Sequence, residues 1–460
     1  MKKRDILIIG GGPAGYTAAA RARDLGHTVA VIELGEEFIG GACLNRGCIP
    51  VKSLIESALL YEKIKKSSQF GIDCEAGLPN MEKIKASAYS NISVLRKNLS
   101  VYLAGKGIEF IYGRASFISP KTVEVKNSSG GREKISADAV VIASGSQPKP
   151  VPGIITDGKH IFMSDEVLAS GINADKILII GGGYIGCELA SFYAAVGTDV
   201  TVAEFLPALL SSEDEEVSRT LEQAFKKKGI KVLTSNKAES LKVSSGSVTA
   251  QIASSAGGSV KEESFSRIIV CAGRAAAIEN LGLDRAGVET KNGFIKVDKN
   301  METTSAGIYA AGDVVDSPML ANVAYREGMK AAESAFLLNT PEINYNLVPK
   351  VVFSIPPVAS VGLTEARATA AGLKVKVRKS FYKANAKAVI AHETSGFAKA
   401  VYDGLSDKLL GISIIGESAS ELIHVASPLI AAGMTAEEAN RIMYAHPTLA
   451  EVLAEITAKE

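Results

Sequence analysis

The stretch Asp5-Ile6-Leu7-Ile8-Ile9-Gly10-Gly11-Gly12-Pro13-Ala14-Gly15 decides the fold of the N-terminal part of this chain. Its apolar half predicts a buried strand over residues 5–9, and the glycines that follow predict a tight turn. The small residues at 16–25 then predict a helix, and residues 29–33 predict a second strand. A strand, a glycine-rich turn, a helix and a strand in this order are typical of a βαβ unit that binds a dinucleotide.

Four residues of this unit have a distinct physical task. Gly10 makes the tight turn, Gly12 lets a pyrophosphate approach the backbone, and Gly15 lets helix and strand pack closely. The phosphates then face free N–H groups at the helix N-terminus. Glu33 closes the second strand, where its carboxylate can accept hydrogen bonds from ribose hydroxyls. We therefore predict that these four residues bind a first dinucleotide.

The same unit occurs a second time. Residues 176–180 predict a strand, 187–195 a helix and 199–203 a second strand, which is followed by Glu204. The turn glycines of this copy are Gly181, Gly183 and Gly186. Two copies indicate two bound dinucleotides, and the simplest chemistry that needs both is hydride transfer between a nicotinamide and a flavin. The sequence thus predicts an α/β fold with two Rossmann-like domains.

The residues after the second copy indicate which nicotinamide cofactor binds. A 2′-phosphate would require an Arg or Lys close to the end of the second strand. The chain has no cation between Glu204 and Arg219. We therefore predict NAD rather than NADP.

Cys43 and Cys48 lie shortly after the first unit, in the stretch Gly40-Gly41-Ala42-Cys43-Leu44-Asn45-Arg46-Gly47-Cys48-Ile49-Pro50. Two thiols at this spacing can close a small ring, but closing it stabilises a fold by only about 2 kcal/mol in the chain-entropy model. A disulfide that opens and closes beside a redox cofactor explains the pair better than a structural cross-link does. The alternative that the spacing leaves open is two unpaired cysteines packed as small apolar side chains.

Composition and charge argue against several functional classes. The 460 residues correspond to about three domains, and 47% hydrophobic with 22% charged residues is ordinary for a globular protein. A net charge of +1 gives no support for nucleic acid or an anionic membrane as a partner. Five cysteines are too few for a secreted disulfide scaffold, and no apolar run is long enough to span a membrane. We expect a cytoplasmic protein without a metal site.

The remaining segments predict helices, two β-meanders and a further α/β domain. Helices are expected over residues 53–66, 81–103, 419–432 and 435–444. Strands are expected at 108–112, 122–125 and 134–136 in a first meander, within 232–270 in a second, and at 374–377, 397–401 and 409–415 near the C-terminus. Because each nucleotide unit is followed by a meander, the layout suggests a duplicated architecture.

Together these motifs resemble the pyridine nucleotide–disulfide oxidoreductases over the whole chain, and most closely those members that oxidise dihydrolipoyl groups. The segments that carry the resemblance are the first fingerprint with Glu33, residues 40–50 with Lys52, the second fingerprint with Glu188, Ala310-Ala311-Gly312-Asp313, and His446-Pro447-Thr448-Leu449-Ala450-Glu451. The resemblance implies an FAD-binding domain over residues 1–150, completed by 275–346, and an NAD-binding domain over 151–274. It also implies a homodimer, formed by a C-terminal α/β dimerisation domain over 347–460.

The resemblance further implies roles around the flavin. Asp313 would bind the ribityl chain, Ala321 would approach the flavin ring, and Ala115 would lie beside the adenine. Lys52 and Glu188 would form an ion pair near flavin N5. A carboxylate on the helix surface is the alternative role for Glu188.

For the reaction, the resemblance implies that Cys43 exchanges with a dithiol substrate while Cys48 lies against the flavin. His446 of the second subunit would remove the substrate proton, oriented by Glu451. Electrons would pass from Cys48 to FAD and then to NAD⁺, which Gly273 helps to bind. The substrate would be protein-bound dihydrolipoyl groups, so the partners would be lipoyl domains of a 2-oxoacid dehydrogenase or glycine cleavage complex.

Two other functions remain as alternatives. An NAD(P)H-dependent reductase of another disulfide would use the same cysteines. The missing 2′-phosphate cations argue against a glutathione reductase, and the extra C-terminal cysteines of mercuric reductases are missing, since the last cysteine is Cys271. A subunit that keeps its cofactors for stability alone is disfavoured by the intact cysteine pair and predicted base. The chain departs from the family pattern at four positions, which are Ala42, Arg46, Val51 and Asn322. The sequence therefore does not predict the redox potential of the site.

Overall fold

The computed structural model describes residues 2–169, 173–244, 246–255, 257, 260–337 and 339–458. Residues 245, 256, 258 and 259 of the expected second meander lie outside these ranges. The chain divides into two compact units. The first comprises Met1–Ser53, Lys85–Lys149 and Arg274–Tyr345, and the second comprises Leu54–Ile84, Pro150–Gly273 and Asn346–Glu460.

The described chain contains α-helices, short 3-10 turns and strands. The α-helices are α1 (Pro13–Asp24), α2 (Gly41–Asn45), α3 (Cys48–Lys65), α4 (Met81–Gly105), α5 (Tyr184–Ala195), α6 (Glu215–Lys227), α7 (Ala321–Ala335), α8 (Glu365–Ala370), α9 (Ala386–Ile390), α10 (Ala419–Ala431), α11 (Ala436–Asn440) and α12 (Glu451–Thr457). The 3-10 turns are Glu36–Phe38, Ser67–Phe70, Ser164–Glu166, Tyr345–Leu347 and Tyr382–Ala384.

The strands are β1 (Lys2–Ile9), β2 (Val29–Glu33), β3 (Glu109–Tyr112), β4 (Arg114–Ser119), β5 (Thr122–Lys126), β6 (Arg132–Ile142), β7 (Ser146–Pro148), β8 (Ile161–Met163), β9 (Lys176–Ile180), β10 (Asp199–Ala203), β11 (Lys231–Leu233), β12 (Asn236–Ser244), β13 (Ser247–Ser254), β14 (Val260–Phe265), β15 (Arg267–Val270), β16 (Arg274–Ala276), β17 (Thr290–Lys291), β18 (Phe294–Ile295), β19 (Ile308–Ala310), β20 (Lys350–Val352), β21 (Val358–Gly362), β22 (Val375–Phe381), β23 (Phe397–Asp403) and β24 (Leu409–Ile415).

The first unit is built around a seven-stranded sheet in the order β3-β2-β1-β6-β5-β4, with β19 paired to β6. Strand β1 pairs in parallel with both β2 and β6, so Ile8 lies between Val31 and Val141. All three side chains are fully buried, which explains why parallel strands of this kind are continuous apolar runs. Helix α1 approaches α7 so closely that a Cβ on Gly328 would lie 2.1 Å from the carbonyl oxygen of Ala14.

Strands β4, β5 and β6 form the first meander, and the prediction there is wrong in two respects. Residues 108–112 do not belong to the meander, because β3 pairs in parallel with β2. Residues 134–136 are not a separate strand, because β6 continues without a break to Ile142. Ile135 and Ala137 are buried while Asp138 is exposed, so an alternating strand runs directly into an apolar one. Strand β4 was not predicted.

The second unit repeats the arrangement of the first around the sheet β11-β10-β9-β15-β8. Strand β9 pairs in parallel with β10 and β15, as β1 does with β2 and β6. The predicted strands 176–180 and 199–203 have the predicted bounds, and the predicted helix 187–195 begins earlier, at Tyr184. The second meander is the antiparallel sheet β12-β13-β14.

The C-terminal part of the second unit is an antiparallel sheet in the order β20-β21-β24-β23-β22. Ile412, Ile423 and Leu453 belong to the buried core that this sheet shares with α10 and α12. The prediction of a helix over 435–444 is too long, since α11 ends at Asn440 and Met443 is 96% exposed. Strands β20 and β21 and helix α12 were not predicted.

The predicted fold class is confirmed: the chain is an α/β protein with two Rossmann-like halves, their meanders and a C-terminal α/β region. In the described part of the chain, no helix has both the length and the apolar character needed to cross a membrane.

Candidate active site

The first glycine-rich turn connects β1 to α1. Gly10 has a φ of +105°, and a Cβ there would lie 2.3 Å from the carbonyl oxygen of Ala143. A Cβ on Gly15 would lie 1.8 Å from the carbonyl oxygen of Gly10. Only glycine fits both places, the first because of its backbone conformation and the second because helix and turn are in contact.

Glu33 holds this turn from the end of β2. Its Oε2 accepts the N–H of Gly11 and its Oε1 accepts the N–H of Leu34, each at 2.7 Å. Burial raises the pKa of Glu33, while the two backbone N–H groups oppose that shift. The carboxylate is thus fixed at the edge of the turn, where a ribose hydroxyl can reach its remaining lone pairs.

A dinucleotide fits these turns because the helices that follow them are not capped. Gly12 is the N-cap of α1 and Gly183 the N-cap of α5, and among the described residues no side chain caps either helix. The first N–H groups of both helices therefore stay available for pyrophosphate oxygens. A Cβ on Gly183 would have no heavy atom within 4 Å, so the space in front of the second turn is open.

The second turn makes the same kinds of contacts as the first. Gly181 has a φ of +110°, and a Cβ on Gly186 would lie 1.9 Å from its carbonyl oxygen. Glu204 is buried, and its carboxylate accepts the N–H of Gly182 and, at 2.7 Å, that of Leu206. The predicted residues of each fingerprint are therefore brought together within their own unit.

The cysteine segment is attached directly to the first turn. The N–H of Gly40 donates to the carbonyl oxygen of Gly11 at 2.9 Å, and a Cβ on Gly41 would lie 2.7 Å from the Cα of Gly12. Cys43 follows in the short helix α2, and Cys48 is the first residue of the 18-residue helix α3. The helix predicted from residue 53 thus begins at the second cysteine.

Asn45 and Arg96 fix the loop between the cysteines, and sequence reasoning missed both. The Asn45 amide donates to the carbonyl oxygens of Ile39 and Gly41 at 3.0 and 2.9 Å. Arg96, on α4, donates to the Asn45 Oδ1 at 3.0 Å. An Asn between two cysteines is a recognisable signal for such a loop, but its partner in a distant helix is not.

The two thiols are electrostatically different. The hydrogen bond between Cys43 and Cys48, and then burial, raise the pKa of Cys43, whereas the Lys52 ammonium opposes the shift. Cys48 is the first residue of α3, and a helix N-terminus favours a nearby negative charge.

Asp313 lies in the turn between β19 and α7. Its Oδ2 accepts the hydroxyl of Ser146, which in turn accepts the Arg274 Nε at 2.7 Å. Sequence reasoning missed Ser146 and Arg274 as supports of this aspartate. Ala321 is the first residue of α7, and Ala115 lies in β4 opposite Val125.

Glu188 and Gly273 lie around the second fingerprint. Glu188, on α5, is 2% exposed, and its Oε1 accepts the N–H of Phe353 at 3.0 Å. The alternative of a helix-surface carboxylate is therefore wrong, while its ion pair with Lys52 stays a prediction. Gly273, in the connection between β15 and β16, has a φ of +98° and open space at its Cβ position.

His446 and Glu451 form a pair in the second unit. The His446 Nδ1 lies 2.9 Å from the Glu451 Oε1, and the other carboxylate oxygen accepts the N–H of Thr448 at 2.9 Å. The Thr448 N–H and then the imidazole hold the pKa of Glu451 below its usual range. The His446 side chain is 72% exposed in the single subunit, so it is available to a second chain.

These observations define a class of protein: an enzyme with two dinucleotide sites and a pair of redox-capable thiols beside the first. Residues 4–328 match the family described as pyridine nucleotide-disulphide oxidoreductase, and residues 348–457 match the dimerisation domain of the same family. The chain belongs to this family. It is an FAD-dependent oxidoreductase whose cofactors are FAD and NAD, and its dimerisation domain supports a homodimer.

Known proteins of this family are similar over the full length. A dihydrolipoyl dehydrogenase from Zymomonas mobilis is 36% identical over 452 residues, which cover 98% of this chain and 96% of the relative. The structure of LpdA from Mycobacterium tuberculosis is 25% identical with a TM-score of 0.91, covering 99% of each chain. A Cu(II) complex of RclA, a HOCl-induced flavoprotein disulfide reductase from Escherichia coli, is 26% identical with a TM-score of 0.88 over 99% of each chain.

Proposed function

We propose that this protein oxidises protein-bound dihydrolipoyl groups and reduces NAD⁺, with Cys43 and Cys48 as its redox disulfide. The observation that carries the proposal is the attachment of the cysteine segment to the first turn, through Gly40 and Gly41. That attachment supports a dithiol close to the first dinucleotide site, in a chain whose full-length relatives include dihydrolipoyl dehydrogenase.

In the proposed reaction, a dithiol substrate loses a proton to His446 of the second subunit, and its thiolate attacks Cys43. A mixed disulfide forms while the Cys43–Cys48 bond breaks and Cys48 leaves as a thiolate. The second substrate thiol then displaces Cys43, so that the substrate is oxidised by two electrons and both cysteines are reduced. A bound FAD, held by the residues of the first turn and by Asp313, would supply the acceptor for this electron pair and would link the dithiol to hydride transfer to NAD⁺.

The difference between the two thiols supports this division of roles. Cys48 has the helix N-terminus that stabilises a leaving thiolate, whereas the raised pKa of Cys43 suits the thiol that is re-protonated after exchange. Glu451 stays ionised because its pKa is lowered, and it can therefore stabilise a charged imidazole at His446.

The cofactor residues keep their predicted assignments within this proposal. For FAD they are Gly10, Gly12, Gly15, Glu33, Lys52, Ala115, Asp313 and Ala321, and for NAD they are Gly181, Gly183, Gly186, Glu204 and Gly273, with Glu188 as the partner of Lys52. The domain limits 1–150, 151–274, 275–346 and 347–460 are part of the same proposal. The partners would be lipoyl domains of a 2-oxoacid dehydrogenase or glycine cleavage complex, in the cytoplasm.

The test is the reduction of NAD⁺ by dihydrolipoamide, measured with an FAD-loaded dimer. We expect turnover with NAD⁺ and little with NADP⁺, because Glu204 occupies the position where a 2′-phosphate would need a cation. A flavin-loaded dimer that turns over neither nucleotide with dihydrolipoamide would contradict the proposal. The similarity to RclA makes NADH-dependent reduction of another disulfide the second candidate, and the same sample assayed with NADH and a panel of disulfides distinguishes the two.

A further inference from the structure

Glu327 is a buried carboxylate that none of the roles above uses. It lies on α7 with 0% of its surface exposed, and burying a charged carboxylate without partners is costly. Its Oε2 accepts the N–H of Gly312 and its Oε1 accepts the hydroxyl of Tyr345, each at 2.7 Å. Burial raises the pKa of Glu327, while the Tyr345 hydroxyl, the Ser317 side chain and the Gly312 N–H oppose that shift. A carboxylate held on both oxygens fixes the groups that donate to it.

One of these groups is the N–H of Gly312, which belongs to the turn that carries Asp313. Gly312 precedes Asp313 and has a φ of +76°, in the left-handed region that favours glycine. A Cβ at Gly312 would lie 3.0 Å from the Cβ of Ala14, so the turn is in close contact with the start of α1. The Asp313 carboxylate itself accepts the hydroxyl of Ser146, which Arg274 holds. Asp313 is thus anchored twice, through the preceding backbone and through its side chain.

We propose that Glu327 is a positioning residue that holds the N–H of Gly312 and thereby sets the Asp313 carboxylate for binding the ribityl hydroxyls of FAD. The proposal rests on the flavin-binding role proposed for Asp313. A hydrogen bond to an ionised carboxylate is stronger than one to a neutral acceptor. Removal of the acceptor leaves a buried N–H without a partner, and the turn relaxes to satisfy it.

The chain offers a graded set of variants at this position. Glu327→Leu keeps the approximate volume and removes the acceptor, whereas Glu327→Gln keeps an acceptor for the Gly312 N–H and removes the charge. Tyr345→Phe removes the second hydrogen bond and leaves the first in place. The measurement is the dissociation constant of FAD, from the rise of flavin fluorescence when the holoenzyme is diluted.

We expect Glu327→Leu to raise the FAD dissociation constant by roughly tenfold or more, with Glu327→Gln and Tyr345→Phe at about twofold to threefold. An unchanged constant in Glu327→Leu overturns the proposal. If Glu327→Leu does not fold, Glu327→Gln decides the matter, because it weakens the Gly312 contact while keeping the core volume, and an unchanged constant there overturns the proposal.

A double-mutant cycle with Asp313→Ala separates positioning from a general loss of structure. If Glu327 acts through Asp313, then neither Glu327→Leu nor Glu327→Gln should change the FAD dissociation constant once Asp313 is Ala. If the full effect of these variants persists in the Asp313→Ala background, Glu327 is only structural and the proposal fails. If Asp313→Ala alone leaves the constant unchanged, the flavin-binding role of Asp313 fails first, and the two failures are thereby distinguished.

Discussion

The two dinucleotide-binding units share one scaffold. In both, a Cβ on the last glycine of the turn, Gly15 or Gly186, would lie less than 2 Å from a backbone oxygen, at 1.8 and 1.9 Å. In both, the acid at the end of the second strand, Glu33 or Glu204, accepts the N–H of the middle glycine. The turns therefore account for binding of a dinucleotide but not for the difference between a flavin site and a nicotinamide site.

The two units differ in the segment that follows the second strand and contacts the turn again. We call it the return segment; it ends at Cys43 in the first unit and at Glu213 in the second. Gly40 in the first unit and Leu210 in the second donate an N–H to a turn carbonyl oxygen, at 2.9 and 3.0 Å. Three residues further along, the first unit has Cys43 and the second has Glu213. The same backbone arrangement thus presents a thiol in one unit and a carboxylate in the other.

Glu213 has a structural role where Cys43 has a chemical one. It is buried, and its two oxygens accept the hydroxyls of Tyr184 and Ser360. These contacts connect the start of α5 to β21 within the second unit. The comparison indicates that, in a duplicated scaffold of this kind, the redox chemistry is determined by the return segment and not by the fingerprint that precedes it.

The largest expected effect comes from exchanging the thiols of the first return segment. Both Cys43→Ser and Cys48→Ser should lose dihydrolipoamide oxidation, because each removes one half of the disulfide. Cys43→Ser should keep a thiolate against the flavin and its long-wavelength absorbance, whereas Cys48→Ser should lose that absorbance. The measurement is the visible spectrum of the reduced, FAD-loaded protein.

Two control variants test whether the loss of absorbance is specific to the Cys43–Cys48 pair. Cys74 is exposed, and Cys74→Ser should leave activity and spectrum unchanged. Glu213→Gln, at the matching place of the second unit, should change stability without removing the absorbance. If Cys43→Ser rather than Cys48→Ser abolished the absorbance, the roles of the two thiols would be reversed.

The next largest effect is expected from adding a methyl group in front of either turn. Gly183 has a φ of −76°, and a Cβ there would meet no heavy atom within 4 Å. Gly12 also has a φ of −76°, and its Cβ would make only an ordinary contact, 3.6 Å from the Cα of Gly41. Both Ala variants should therefore fold, but each methyl occupies the space of a pyrophosphate.

We expect Gly183→Ala to weaken NAD binding by at least about tenfold, or about 1.4 kcal/mol, and to retain FAD. Gly12→Ala should do the reverse. The measurements are the flavin content after purification and the dissociation constant of NADH, with the melting temperature as a check on folding. Loss of both cofactors from one variant would show that the two units are not independent sites.

Secondary structure was predicted most accurately from the sequence where a single physical factor, burial on both faces of a sheet, determines which residues are apolar. Strands such as 176–180 were predicted with correct bounds because parallel strands are buried on both faces and therefore form nearly continuous apolar runs. The helix predicted over 435–444 fails for a related reason. Its last apolar residues lie on the surface, with Met443 96% exposed, so apolar spacing there does not report burial in the core of this subunit.

The candidate site was predictable where the contacts are local and not where they are distant. The Glu33 carboxylate lies next to the turn in the same βαβ unit. Arg96 reaches Asn45 from a different helix, and Arg274 reaches Ser146 across 128 positions of sequence. Polar side chains that act through such long-range contacts carry no local spacing pattern, so a single sequence cannot reveal them.

A smaller effect is expected at His446 and Glu451, the pair near the C-terminal end of the second unit. Glu451→Gln removes the charge that orients His446 but keeps an acceptor for the imidazole, so it should lower kcat by roughly tenfold. Because the pKa of Glu451 is lowered, the wild-type carboxylate stays ionised as the pH falls to about 5. The ratio of wild-type kcat to variant kcat should therefore stay constant down to that pH. It should decrease towards one only below the pKa of Glu451, where the wild-type carboxylate also loses its charge.

Glu438 provides the matched control for this variant. It also has a lowered pKa, set by Thr435 in a surface capping box, yet it is assigned no part in the reaction. Glu438→Gln should leave kcat unchanged at every pH. A Glu451→Gln enzyme with the wild-type kcat would remove the acid–base pair from the mechanism.

The smallest effect is expected where the two units are most alike, at their terminal acids. Glu204→Gln keeps one acceptor for the N–H of Gly182 or Leu206, so the turn should remain in place and the NAD dissociation constant should rise by only about threefold to tenfold. The loss of the negative charge should also reduce the discrimination against NADP, because a 2′-phosphate no longer meets a carboxylate. Glu33→Gln should leave both nicotinamide constants unchanged. If Glu33→Gln altered NADP discrimination as strongly as Glu204→Gln, the assignment of the second unit to the nicotinamide would be wrong.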